Sequence, residues 1–308
     1  MKKDLLSEYE LEKADFDQIF ERAAVLKDMH RKGFHPPTLS GKVLGMIFDK
    51  ASTRTRLSFE VGMYQLGGTA LFLSGRDTQI GRGETIADTA RVMSRYLDGI
   101  MIRTFSQEMV EEFARNASIP VINGLTDLLH PCQILTDIFT IIEKKGAYEG
   151  IRVAYIGDGN NIANSWINAA VKLPIKLNLA CPAGYDPKPE IFNRALNESK
   201  LGVDLYRNPA DAVKGADVVY TDVWASMGQE DEHAERVKLF QNYQINEQLV
   251  EQAAQDAIIM HCLPAHRGEE ITADVIDGPR SIIFDQAENR LHVQKAILET
   301  LMSGGIEK

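Results

Sequence analysis

The sequence has little cysteine, no long apolar run and no excess of positive charge, and each shortage removes a class of protein. Three cysteines in 308 residues, Cys132, Cys181 and Cys262, are too few and too scattered for a disulfide framework. They are expected to stay reduced, which suits a cytoplasmic chain. No apolar stretch approaches the ~18–20 residues of a membrane span. Acidic residues interrupt the opening segment from Asp4 onward, so no secretory signal is expected. Lysine and arginine total 34 against 44 aspartates and glutamates, a formal net charge of −10. That balance argues against unspecific binding to nucleic acid or an anionic membrane, although it leaves room for a small cationic pocket. The chain also lacks a Walker A loop and a Gly-x-Ser-x-Gly elbow, which sets aside P-loop NTPases and ordinary α/β hydrolases.

What is present is ordinary for a globular protein: 44% hydrophobic and 25% charged residues, enough to bury a substantial core. Short β-branched runs alternate with longer helical stretches, the signature of parallel α/β architecture. Helix is expected over 8–32, then strands over 42–48, 69–74, 99–103 and 119–123 with helices between them. The same grammar restarts at Gly150, with strands over 150–156, 176–181, 203–206, 217–221, 257–261 and 281–284. An amphipathic helix over 287–302, with Ala296, Ile297 and Leu301 among its apolar positions, closes the chain. The run Lys144-Lys-Gly-Ala-Tyr-Glu-Gly150 suggests a boundary, giving domains over 1–147 and 148–286. The closing helix is expected to pack back on the first.

Open α/β sheets bind ligands beyond the carboxyl ends of their strands, so the loops there rank first. In Asp49-Lys-Ala-Ser-Thr-Arg-Thr-Arg56, Ser52, Thr53 and Thr55 surround Arg54 where a helix begins. Hydroxyls, free amides and a guanidinium fork suit phosphate; Arg56 and Glu60 read as an i,i+4 surface pair. Arg103 ends an apolar strand, either solvated at the rim or completing the same anion site. His130-Pro-Cys-Gln133 opens a helix, and an imidazole and an amide at its positive end suit a carbonyl oxygen as well as simple capping.

Gly157-Asp-Gly-Asn-Asn161 follows a strand but lacks the third glycine of a dinucleotide fingerprint, and Asn160 and Asn161 instead suit a carboxylate or polar substrate group. Asp222-Val-Trp-Ala-Ser-Met-Gly228 offers a carboxylate and a hydroxyl that could hold an ammonium, followed by a charged stretch that is a solvated loop or a lid. His261-Cys-Leu-Pro264 raises zinc, without the matched ligand spacing zinc needs, or a Cys-His nucleophilic dyad.

Taken in order across nearly the whole chain, these segments resemble the aspartate/ornithine carbamoyltransferase family. The resemblance rests on Ser52-Thr-Arg-Thr-Arg56 with Ser58-Phe-Glu60, Arg103, His130-Pro-Cys-Gln133, Asp222 through Gly228, and His261-Cys-Leu-Pro264; the last two are similar to the ornithine branch. It implies two similar α/β domains, each a parallel sheet flanked by helices, with the active site at the domain cleft. It also implies transfer of the carbamoyl group of carbamoyl phosphate to the δ-amine of L-ornithine, without a cofactor or metal. By that resemblance Ser52, Thr53, Arg54 and Thr55 hold phosphate, and Arg103, His130 and Gln133 bind the carbamoyl and phosphate oxygens. Cys262, Leu263 and Arg290 line the reacting centre, while Asn161, Asp222, Ser226 and Met227 grip ornithine. Arg54, Arg103, His130 and Cys262 are the implied catalytic groups. Gln79 lies in a loop that reaches a neighbouring subunit in the family, implying a homotrimer or a multiple of trimers. Acceptors such as putrescine or an acylated ornithine, and a non-catalytic binding protein on the same fold, are the alternatives.

Overall fold

The structure is a computed structural model that describes residues 3–75, 83–225 and 232–303. Two compact units emerge from its internal packing. One comprises Met1–Phe139 with Glu288–Lys308, and the other Thr140–Ala287.

The first unit begins with a 3-10 turn at Glu8–Glu10 and helix α1 (Lys13–Arg31). Strand β1 (Val43–Phe48) is followed by α2 (Thr53–Gln65), β2 (Thr69–Ser74), α3 (Ile86–Met93), β3 (Gly99–Arg103), α4 (Gln107–Asn116) and β4 (Val121–Leu125). Helix α5 (Pro131–Lys145) starts in this unit and ends in the other. The strands form one parallel sheet in the order β2-β1-β3-β4. Val, Ile, Leu and Met fill β1, β3 and β4 because both faces of a parallel sheet are covered. Ile47, Ile100, Ile102 and Val121 pack with Val110 and Phe113 of α4 in one cluster, all fully buried. The amino-terminal segment covers the β4 edge, where the Leu5 N–H donates to the Val121 carbonyl and the Asn123 N–H to the Leu5 carbonyl.

The second unit holds β5 (Arg152–Ile156), α6 (Asn161–Lys172), β6 (Lys176–Ala180), α7 (Pro189–Glu198), β7 (Val203–Tyr206), α8 (Pro209–Val213) and β8 (Val218–Thr221). Helices α9 (His233–Phe240) and α10 (Glu247–Val250), β9 (Ile258–His261) and α11 (Ala273–Ile276) follow. Its parallel sheet runs β7-β6-β5-β8-β9. Trp224, Phe240, Ile245 and Ile259 anchor a core cluster with Ala154 and Val219 of the sheet.

One expected strand is absent. Ser281 makes a single bridge to Ile259, and the chain enters α12 (Ile283–Met302) at once. Ser-Ile-Ile-Phe has strand composition, but Ile283 begins a stretch whose apolar residues recur at helical spacing through Val293, Ile297 and Leu301. Within the first unit, α12 is buried tightly. Gly62 of α2 lets α12 approach closely: an added Cβ would lie 3.3 Å from Lys295 Cγ, with Leu298 and Leu291 also in contact. Lys27 of α1 donates to Asn289 Oδ1 at 2.6 Å, and Arg22 pairs with Glu299.

Each sheet has one point where strand order reverses, and crevices open at the carboxyl ends of the strands there. In the first sheet this is between β1 and β3, where Phe48 pairs with Arg103. In the second it is between β5 and β8, where Ile156 pairs with Thr221, and His261 stands next to Thr221 on the other side. The register alone therefore assembles two groups of chemically active loops.

Candidate active site

At the first reversal the chain leaves β1 and turns into α2. Ser52 caps that helix, its Oγ accepting the Thr55 N–H at 3.2 Å and donating to Thr55 Oγ1 at 3.1 Å. Thr53 is exposed and Arg54 half-buried in the first turn, where helix amides face outward with positive dipole. Arg56 does what its spacing suggested and pairs with Glu60 at 2.9 Å on the surface.

Arg103 is buried at the end of β3, and its Nε donates to the Lys50 carbonyl at 3.2 Å, so the β1 loop is tied to the neighbouring strand. His130 is buried immediately before α5; its carbonyl accepts the Gln133 and Ile134 N–H groups, with Pro131 at the first helical position. Gln133, one turn in, donates to Asp137 at 2.8 Å and accepts a hydrogen bond from Arg290 Nη1. Arg290 Nη2 donates to Thr55 Oγ1 at 3.0 Å. Thus Arg290, read from a short run far along the sequence, meets Thr55 and Gln133 inside the first unit.

These groups set the charge state of the histidine. Burial first, then the positive charges of Arg290, Arg103 and Arg54, hold His130 well below the ordinary imidazole range. It is therefore neutral at pH 7 and offers an N–H donor that cannot easily take a proton. A neutral donor among three arginines forms a strongly electropositive pocket, the kind that captures a small anion and then stabilises charge developing on it. Cys132, one residue past Pro131, is a packing group: burial pushes its thiol up to about 12, and Sγ donates to the Asn123 carbonyl at 3.4 Å.

The second reversal gathers a different set. Gly157 has φ of +140°, and a Cβ on Gly159 would sit 2.3 Å from the backbone at Asp186–Pro187. Gly157 is required by its backbone conformation and Gly159 by the close approach of the Asp186–Pro187 backbone, which explains their spacing without a dinucleotide. Asn160 caps α6, with Oδ1 accepting from Ile162 and Ala163, while its side-chain NH2 donates to Asp222 Oδ2 at 2.8 Å. Asn161 is the first helical residue and half-buried. Asp222 is buried at the end of β8, and its Oδ1 accepts the Val223 N–H at 2.8 Å and the Cys262 thiol at 2.9 Å.

Beyond Cys262, Leu263 takes the left-handed region at φ +58°, a conformation costly to a side-chain-bearing residue and held by its surroundings. Its N–H donates to His261 Nδ1 at 2.8 Å, so the ring proton lies on Nε2, which faces Glu270 Oε1 at 3.2 Å. This answers the Cys-His reading. The imidazole of His261 is turned to Glu270 and to the backbone, and the thiol is turned to Asp222. One ligand atom each of Asp222, His261 and Cys262 lie within 4.8 Å of one another, but all are engaged in this network.

Ser52, Thr53, Arg54, Thr55, Arg103, His130, Gln133 and Arg290 therefore cluster in the first unit. Asn161, Asp222, Cys262 and Leu263 cluster in the second. Gln79, Ser226 and Met227 lie outside the described residues. Sequence reasoning missed the structural parts played by Asn160, His261 and Glu270. Asn160 had a signal, an asparagine at a strand-to-helix turn, whereas a buried Glu270 beside the half-exposed Glu269 had none.

Comparison with known proteins agrees with this layout. The carbamoyl-P binding domain model of aspartate/ornithine carbamoyltransferase matches residues 3–143, and the Asp/Orn binding domain model matches residues 149–301. The ornithine carbamoyltransferase of Syntrophus aciditrophicus is 70% identical over 302 residues, covering 98% of this chain and all of that protein. The anabolic ornithine carbamoyltransferase of Pseudomonas aeruginosa is 58% identical, over 92% of each chain. The solved ornithine carbamoyltransferase of Pyrococcus furiosus superimposes with a TM-score of 0.94 at 52% identity, over 99% of this chain and 98% of that one. With both halves matched in order and at these identities, the chain belongs to the aspartate/ornithine carbamoyltransferase family.

Proposed function

We infer that this enzyme transfers the carbamoyl group of carbamoyl phosphate to the δ-amine of L-ornithine, releasing L-citrulline and phosphate. The observation that carries the reading is the neutral, buried His130 held among Arg54, Arg103 and Arg290. Such a pocket suits a substrate that brings its own negative charge and polarises further as it reacts.

In the proposed mechanism the amine lone pair attacks the carbonyl carbon, and negative charge grows on the carbonyl oxygen, then on the departing phosphate. Ser52, Thr53, Arg54 and Thr55 bind the phosphate, with helix amides of α2 adding donors. Arg103, Gln133 and Arg290 bind carbamoyl and phosphate oxygens. His130 donates its N–H to the carbonyl oxygen; being neutral, it stabilises charge without giving up a proton prematurely. Removing one such donor raises the barrier by about 3–4 kcal/mol, or roughly a hundredfold or more in rate.

The acceptor amine, with an ordinary pKa of about 10.4, must shed a proton before it attacks. Asn161 and Asp222, with Ser226 and Met227, hold the amino-acid end of ornithine. The Cys262 thiol, hydrogen-bonded to Asp222, orients the amine and, with the Asp222 carboxylate as acceptor, helps it lose its proton, and Leu263 lines the same place. Asn160 and the His261–Glu270 pair are positioning groups, since they touch Asp222 and the Leu263 backbone.

Gln79 serves a neighbouring subunit's site in a homotrimer or a multiple of it. Support comes from apolar side chains that α2 and β2, the outermost strand of the first sheet among the described residues, leave exposed. Leu57, Val61 and Tyr64 stand at helical spacing, and Leu71 and Phe72 on the edge strand. Edge strands and apolar patches of this kind are normally covered by a partner.

Calorimetric titration tests the assignment of the first unit. Arg54→Gln should abolish carbamoyl phosphate binding while leaving a single cooperative unfolding transition; wild-type affinity in that variant would refute it.

A further inference from the structure

Outside this site, one cluster among the described residues of the second unit has the chemistry of a metal centre. His233 opens α9, and His266 and Glu269 lie in the loop after β9. His233 Nε2 is 3.0 Å from Glu269 Oε2, His266 Nδ1 is 3.6 Å from the same oxygen, and the ligand atoms all fall within 4.8 Å of one another. The two rings stand edge to face with centroids 6.0 Å apart, and one nitrogen of each lies against the shared carboxylate.

We propose that His233, His266 and Glu269 bind a divalent transition metal, with zinc the best match, which clamps α9 to the loop after β9. Tetrahedral zinc with bonds of about 2.0–2.2 Å holds its ligands about 3.3–3.6 Å apart, close to the 3.0 and 3.6 Å that separate Glu269 Oε2 from the two ring nitrogens. Two imidazoles and one carboxylate leave a fourth position for water, and this donor set favours a transition metal over the hard cations calcium and magnesium.

The surroundings support a cation. Glu270 is fully buried, and its Oε2 has no hydrogen-bond partner and lies 3.9 Å from His266 Nδ1. Glu270 Oε1 is satisfied by His261 Nε2 and the His266 N–H, which leaves Oε2 desolvated beside a ligand nitrogen where a cation would offset its charge. Both sides of the cluster are also held in place. Arg236, one turn after His233, fixes α9 through Asp158 at 2.8 Å and the Trp224 carbonyl at 2.9 Å. The Gln244 side chain donates to the Gly268 and Glu269 carbonyls at 2.8 Å, and the His266 N–H donates to Glu270 Oε1 at 2.6 Å. The clamp would join segments that follow Asp222 and Cys262, so its occupancy bears on how firmly the ornithine-binding loops are held.

Cobalt(II) is the probe, because its ligand-field bands report low coordination number and a sulfur-to-metal band reports a thiolate. The metal-stripped enzyme should take up one cobalt per chain with ligand-field bands and no thiolate band, and its melting temperature should rise with cobalt. His233→Ala, His266→Ala and Glu269→Gln should each weaken binding at least tenfold and remove the thermal shift. Cys262→Ser should bind as the wild type does. Undiminished binding in the histidine variants, loss of binding only in Cys262→Ser, or no uptake by the wild type would each overturn the proposal.

Discussion

Arg290→Gln isolates the part of the pocket that is hardest to see from sequence. The wild-type guanidinium is buried and spans two groups, donating to Gln133 Oε1 and Thr55 Oγ1. Its loss has three separable effects. Thr55 Oγ1 keeps the Ser52 hydroxyl as donor, so Gln133 Oε1 is the acceptor left in need. One such buried group costs about 1–3 kcal/mol, well inside the 5–15 kcal/mol by which a domain is ordinarily stable. Removal of a cation also relieves repulsion with Arg103 and Arg54, so the variant should fold. Catalysis should suffer more: one charged donor fewer at the developing oxyanion lowers kcat/KM for carbamoyl phosphate by about 10²–10³.

The third effect is diagnostic. After burial, Arg290 is the strongest of the charges that hold His130 low, so the histidine should titrate at higher pH in the variant. Initial rates of citrulline formation at saturating ornithine read the second effect, and NMR titration of the His130 ring reads the third. Arg290→Lys keeps the charge but loses the fork, so it should recover most of the His130 depression and little of the rate. Wild-type kcat/KM in Arg290→Gln, or an unmoved His130 titration, would show that Arg290 does not face the reacting group.

Other consequences are separable. Asp222→Asn places an amide NH2 opposite either the Val223 N–H or the Asn160 NH2, so it should raise the ornithine KM at least tenfold while carbamoyl phosphate binding by calorimetry stays within about twofold; equal loss of both would contradict the division of labour. Cys262→Ala should lower turnover and move the pH–rate profile, and an unmoved profile would remove the thiol from proton transfer. His292 is buried without a hydrogen bond, its nearest carboxylate oxygen, on Glu288, is 3.7 Å away, and burial with Lys295, Lys27, His30 and Arg31 pushes it down to about 3. The native state therefore resists a proton that the unfolded chain accepts below about pH 6.5. The stability it contributes is complete above that pH and is lost as pH falls toward about 3, at about 1.4 kcal/mol per unit. Urea melts between pH 6.5 and 4.5 should show a shallower decline in His292→Leu, and an unchanged slope would refute the argument.

Much of this was legible in the sequence for physical reasons. Buried parallel strands must be nearly all apolar, so β1, β3, β5 and β8 stand out, and a ligand loop must interrupt them with polar residues, as at Ser52–Arg56 and Asp222. Ile282-Ile283 misled because a short apolar run does not reveal its period until the residues beyond it are counted. Arg290 was placed by resemblance; its contact with Thr55 depends on tertiary packing of α12 that no local pattern encodes. The tie of Asn160 to Asp222 and the whole part of Glu270 escape the sequence because they depend on partners 62 and 9 residues away, Asp222 and His261, which meet them through the β5-β8-β9 register and a buried loop.

The most direct test of the account follows both products at once. With carbamoyl phosphate and L-ornithine present, the enzyme should release phosphate and form citrulline in a one-to-one ratio. Omitting ornithine, or replacing it with putrescine or an acylated ornithine, should reduce phosphate release to the spontaneous rate. Phosphate release without a matching carbamoylated product, or faster turnover of either replacement amine, would contradict carbamoyl transfer to ornithine as the function of this chain.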